Sequence, residues 1–138
     1  MTATTPADAL SALRAAAAGG QLADLCRRHE VSLLVAFGSA VSGPVPAGAR
    51  DLDIAVLSMG SPSTLTLLTE LSDLTRFDAI DLLDLGRAGP VAIVEALLHG
   101  EVLFEHERGT ADRLLVRAAT QKTDTQWLRD WALELMAS

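Results

Sequence analysis

The stretch VSLLVAFGSAVSGPVPAGARDLDIAVL, Val31 to Leu57, places two apolar runs on either side of a glycine-serine turn and a loop of small residues and prolines. The first run, Val31 to Phe37, has the pattern of a strand buried on both faces, which predicts the centre of a sheet. The second alternates. Asp51, Asp53, Ala55 and Leu57 share one face, and Leu52, Ile54 and Val56 share the other. Between them, Ser39 to Ala49 carries Gly43, Pro44, Pro46 and Gly48, which predicts turn and loop in place of a long regular element.

Working outward, Pro6 to Ala18 reads as an alanine-rich helix closed by Gly19-Gly20, and Leu22 to His29 as a second, short one. Leucines at 65, 68, 71 and 74 make a helical stripe over Thr64 to Thr75, capped from Ser61 or Ser63 with Pro62 near the first turn. A third strand is expected at FDAIDLLDL, residues 77–85. There Phe77, Ala79, Asp81, Leu83 and Leu85 would face one way, and Asp78, Ile80, Leu82 and Asp84 the other. Gly89-Pro90 opens a helix to about Leu98, EVLFE is a short last strand, and the tail from Glu107 is helical with a break expected in ATQKTDT. No repeat or linker divides the chain, so one domain over residues 1–138 is expected.

The bulk numbers set limits. A length of 138 residues with 49% hydrophobic and 21% charged residues suits an ordinary folded domain, and no apolar run could span a bilayer. Without a basic start ahead of a hydrophobic block, the first residues do not read as a secretory signal, and a cytoplasmic protein is expected. The formal charge of -7 argues against nonspecific nucleic-acid binding. Cys26 stands alone, which points to a small buried apolar residue.

Asp51 and Asp53, two apart on a strand, point the same way at roughly 6 to 7 Å along the backbone and can share a cation. Alone, the pair is equally the wet face of a strand. Asp81 joins them if the third strand lies beside the second. Each like-charged pair at ~4 Å then costs about 4 kcal/mol at an effective dielectric of ~20 unless a cation intervenes. Oxygen-only ligands favour magnesium or manganese over zinc. Gly38 allows close backbone approach, and the turn's N–H groups with the Ser39 hydroxyl suit phosphate oxygens. There is no GxxxxGK[ST] loop, and the one lysine, Lys122, lies far downstream.

Strand, Gly38-Ser39, loop, Asp51-x-Asp53 on the next strand, and Asp81 in IDLLDL together resemble the minimal nucleotidyltransferase domains of the polymerase β-like superfamily. VLFEHERGTADRLLVRAATQKTDTQWLRDWALELM resembles the closing strand and helix of the stand-alone members, which act as antitoxins beside HEPN-domain toxins. The resemblance implies an α/β (α+β) nucleotidyltransferase fold, a small mixed sheet flanked by helices with a helix at its C-terminus. It also implies that Gly38 and Ser39 hold the triphosphate of ATP. Asp51 and Asp53 would bridge two magnesium ions, with manganese as the substitute, and Asp81 would bind one metal and serve the attacking hydroxyl. The implied reaction moves AMP from ATP to a tyrosine hydroxyl of a HEPN-type toxin held in a hetero-oligomer, and silences it. The alternatives are neutralisation by binding and occlusion alone, or transfer to a small-molecule hydroxyl. Eleven residues separate Ser39 from Asp51, and Arg50 precedes the first aspartate, where it could add or hinder a phosphate contact.

Elsewhere the reading is structural. Asp78 and Asp84 are expected to be solvated or capping residues, and His29, His99 and His106 structural or surface residues. Ser58, Ser61 and Ser63 have no base beside them. Trp127 and Trp131 would share one helix face, either as core or as a partner surface.

Overall fold

The structure is a computed structural model that describes residues 5–42, 51–60 and 64–137, apart from the side chains at 42, 122–128, 130, 131 and 137. The caps of the third long helix expected at Ser61 or Ser63, and Gly43 to Arg50 of the loop, lie outside the described residues. So do the side chains of Trp127 and Trp131.

Helix α1 (Pro6–Gly19) starts where the Thr5 hydroxyl accepts from the Asp8 N–H at 3.1 Å, with Pro6 supplying the fixed φ of a first turn. Gly20, at φ +88°, takes the left-handed conformation that ends α1 and lets α2 (Gln21–Arg28) begin at once. Strand β1 (Val31–Phe37) follows, and the one-turn helix α3 (Ser39–Ser42) comes after it. Next come β2 (Leu52–Ser58), α4 (Thr64–Thr75), β3 (Ile80–Asp84), α5 (Pro90–Leu98), β4 (Glu101–Glu105) and the 28-residue α6 (Thr110–Ala137). The sheet order is β3-β2-β1-β4. β1 is antiparallel to both neighbours and β2 is parallel to β3. This is a mixed sheet flanked by helices, as expected, and β1 lies inside it. No helix among the described residues is long and apolar enough to cross a membrane.

Both sheet faces are covered, which explains why β1 is apolar at every second position and again at the positions between. Leu34 and Ala36 of β1, Leu52, Ile54 and Val56 of β2 and Ile80 of β3 pack against α1, α2 and α4. Leu33, Val35, Ala55 and Leu85 pack against α5 and the first half of α6. Val31 belongs to the first group although its parity matches Leu33, because the pairing with β2 shifts register between these two residues.

Three expectations change. The third strand is shorter than residues 77–85, and Phe77 and Ala79 pack with Ile80 in the α1–α4 layer instead of sharing a face with Asp81. Arg76 at φ +55° ends α4, and the Ile80 N–H bonds the Asp78 carbonyl at 2.9 Å, a tight turn that breaks the alternation before the strand begins. The Gly-Ser turn opens a helical turn, α3, before the proline-containing loop; its Ala40 and Val41 gain burial on the α1 side. The tail helix runs through ATQKTDT unbroken.

Two ion pairs tie the layers. Arg14 of α1 holds Glu101 of β4 through two bonds of 2.8 and 2.6 Å, and Arg28 of α2 donates to Glu70 of α4 at 2.6 Å, with His29 on the other oxygen of the same carboxylate. Hydrogen bonds from these arginines hold both carboxyls below their ordinary 4.5. The unfolded chain therefore binds more protons than the folded one in this range. The pairs' stabilisation is present in full above about pH 4.5 and is lost as pH falls through the lower folded values. Urea titrations from pH 6 to pH 3 should show a drop in stability that is smaller for the Glu70→Gln, Glu101→Gln double variant.

Candidate functional site

Asp53 lies in β2, one residue after the strand's start, and the parallel register sets it directly opposite Asp81 of β3. Adjacent strands are ~4.8 Å apart, and paired residues of a parallel ladder point to the same face, so the two carboxylates are neighbours. Asp51 stands just ahead of β2 and is exposed. Leu52 follows it with its N–H on the Ala79 carbonyl at 2.9 Å, which anchors the strand's start against the segment leading to β3. On the other side of Asp53, the partner residue in β1 is Phe37, immediately before the turn.

Gly38 completes the cluster. It holds φ +81°, and a Cβ at that position would collide with a carboxylate oxygen of Asp53. Only glycine combines this backbone conformation with the absence of a side chain that the aspartate's position requires. Ser39 follows as an exposed residue at the first position of α3. The structure thus brings Gly38, Asp53 and Asp81 together across three adjacent strands, with Ser39 next to Gly38 in the chain and Asp51 acting on Asp53 electrostatically. The loop with Arg50 lies outside the described residues.

The electrostatics carry the cost of this placement. Partial burial, then the negative charges of Asp81 and Asp51, push the Asp53 carboxyl above its ordinary 3.8. Among the described residues no three His, Cys, Asp or Glu side chains stand as a ready-made metal cage. The donor set nevertheless fits a hard cation. It consists of carboxylates alone, and it is destabilised by its own negative charge.

The other polar candidates fall away from this cluster. Asp84 accepts the Gly86 N–H at 2.9 Å and faces Arg87 at 3.8 Å, a capping role in the turn after β3. Asp78 is exposed. His29 binds Glu70 between two helices, His99 ends α5, and His106 is exposed. Cys26 is fully buried, and burial pushes its thiol up to about 12, so it is an inert core residue. A feature not anticipated from sequence is a cavity of about 330 Å³ on the Asp53 face but at the far ends of β2 and β3, with Arg113 and Arg117 on its rim. The spacing of those arginines, four apart on a helix, was its one readable signal.

A family model described as polymerase beta, nucleotidyltransferase, matches residues 20–109, which span β1, the turn and all three aspartates. Among solved structures, an MntA-HpeT toxin-antitoxin complex with two aspartates changed to glutamate is similar at 19% identity and a TM-score of 0.66. The match covers 86% of this chain and 98% of that one. A toxin-antitoxin structure with AMP-PNP is similar at 22% identity and a TM-score of 0.66, covering 86% and 98%. A tri-AMPylated HEPN toxin in complex with MNT antitoxin, from Shewanella oneidensis, is similar at 21% identity and a TM-score of 0.61, covering 86% and 95%. No curated protein matches.

Because the folded-state pKa of Asp53 is raised, its ionised form costs folded stability, a cost absent in acid and complete at neutral pH. Asp53→Asn should melt a few degrees above the native protein at pH 7 in EDTA, and this gain should shrink as pH falls below about 4. Differential scanning calorimetry at both pH values would measure it.

Proposed function

The chain belongs to the polymerase β nucleotidyltransferase family, and from that premise we propose that it transfers AMP from ATP to a hydroxyl of a HEPN-type toxin partner, neutralising it as an antitoxin. The observation that carries this reading is the Asp53–Asp81 pairing beside Gly38. It is a costly juxtaposition of like charges that chemistry on a metal-bound triphosphate would repay. The similar complexes support the partner and the nucleotide: one holds AMP-PNP, and in another the HEPN toxin is tri-AMPylated.

Asp51, Asp53 and Asp81 would hold two magnesium ions, with manganese as the substitute. Bound there, the metal supplies positive charge to the phosphate oxygens. The backbone at Gly38 and the hydroxyl of Ser39 bind the triphosphate. Asp81 positions the acceptor hydroxyl, a tyrosine in this reading, and takes up its proton. The acceptor oxygen forms a bond to the α-phosphorus while the bond from that phosphorus to the bridging oxygen of pyrophosphate breaks, and pyrophosphate leaves. The chain's contribution is positioning and charge.

Incubation with ATP carrying a labelled α-phosphate, magnesium and the partner toxin should label the toxin, and EDTA should abolish the label. Asp53→Asn and Asp81→Asn should each reduce the rate at least about 10²-fold. Label transfer that survives in both variants would sink the catalytic assignment. Toxin silencing that survives in both without label would assign neutralisation to binding alone. Gly38→Ala should lose activity and about 1–2 kcal/mol of stability, since an alanine pays for the left-handed conformation and meets Asp53. Urea denaturation measures that loss.

A further inference from the structure

The cavity of about 330 Å³ opens between the C-terminal ends of β2 and β3, the turn after β3, α5 and the first three turns of α6. Asp53 and Leu57 share a face of β2 four residues apart, so the cavity begins roughly 13 Å along the strand from the carboxylates. Leu57, Leu85, Ile93 and Leu114 supply apolar wall, and Arg113 and Arg117 stand over one another on successive turns of α6 at its rim. Arg113 makes only long contacts: one guanidinium nitrogen lies 3.9 Å from Glu107 and donates to the Thr110 hydroxyl at 3.5 Å, and another donates to the Arg108 carbonyl at 3.4 Å. Among the described residues no acid forms an ion pair with Arg117. In a chain of net charge -7, this rim reverses the average sign of the surface.

Guanidinium pairs match the geometry of phosphate oxygens, and the apolar wall beneath them matches a flat ring system. A small inorganic anion would leave the wall bare, and a neutral apolar ligand would leave Arg117 without an anionic partner. The volume lies at the small end of the range that organic ligands occupy, which suits a single nucleotide. We propose that this cavity is a mononucleotide site, separate from the carboxylate cluster, that takes an adenosine monophosphate group. The choice of adenosine rests on the adenylyl-transfer reading, whereas the pairing of phosphate with ring does not. The group could be free AMP or an AMP already joined to the acceptor.

Isothermal titration calorimetry of the full chain with AMP in EDTA tests the site without any transfer reaction. Native protein and Asp53→Asn should bind AMP equally. Arg117→Gln should weaken binding about tenfold and Arg117→Glu more, each with an unchanged circular dichroism spectrum. Ala88→Trp, which fills the cavity, should abolish binding, and adenosine should bind far more weakly than AMP. Absence of AMP binding to the native protein overturns the proposal. Binding that is lost in Asp53→Asn and unchanged in both Arg117 variants also overturns it. Where transfer to the toxin is observed, intact mass of the product separates the two sources. An Arg117→Gln protein that keeps the first addition and loses later ones assigns the site to the attached group, and an unchanged product distribution assigns it to free AMP.

Discussion

The parallel register between β2 and β3 sets Asp53 beside Asp81, and that contact is repulsive. It is imposed from the opposite side of the sheet. Leu52, Ile54 and Val56 on β2 and Ile80 on β3 are buried against α1, α2 and α4. A slip of one residue would turn all of them towards the aspartate face. Burying each such side chain is worth about 1.5–3 kcal/mol, so the apolar face together outweighs the charge repulsion on the other. The same strands that form the core therefore deliver an electrostatically costly cluster to one end of the sheet.

Gly38 is fitted to this cluster by its lack of a side chain. At the end of β1 the backbone enters the left-handed region, where a Cβ would meet the carboxylate tip of Asp53. β1 is itself the most fully buried strand, with Leu33, Leu34, Val35 and Ala36 all inaccessible, so the turn is attached to the least movable part of the molecule. A rigid strand of this kind fixes the position of the turn that follows it. The helices contribute differently on the two faces: α1, α2 and α4 cover one, while α5 and α6 cover the other over β1 and the far ends of β2 and β3, and Asp51 and Asp81 stay exposed.

Much of this was legible in the chain. The bounds of β1, α4 and β4 follow from the apolar run, the leucine run and the breakers around them, although α4 buries Leu67 and Leu71 and leaves Leu65 of the expected stripe exposed. The lead into β3 was not legible. Phe77 and Ala79 continue the alternation in sequence, but the tight turn at Asp78 and the positive φ of Arg76 switch them to the other side of the sheet. Val31 likewise joins the face opposite to its parity through the register shift in β1. Local alternation cannot register a kink whose driving force is burial against distant helices. α3 escaped for a related reason: its four residues gain their burial from α1, far away in sequence.

The sequence by itself determined which residue types were available for chemistry: a glycine-serine turn, two aspartates at strand spacing with a third in a later strand, and no histidine or cysteine near them. Oxygen-only donors of this kind favour a hard cation. Only the tertiary structure decided that Asp81 pairs with Asp53 and not with another residue of β2, and that Gly38 abuts that same carboxylate. Only it decided that Arg113 and Arg117 rim a cavity at the far end of the same sheet face. These are contacts between segments some fifteen to sixty residues apart in the chain. They follow from how two apolar layers close over one sheet, which local residue patterns do not encode.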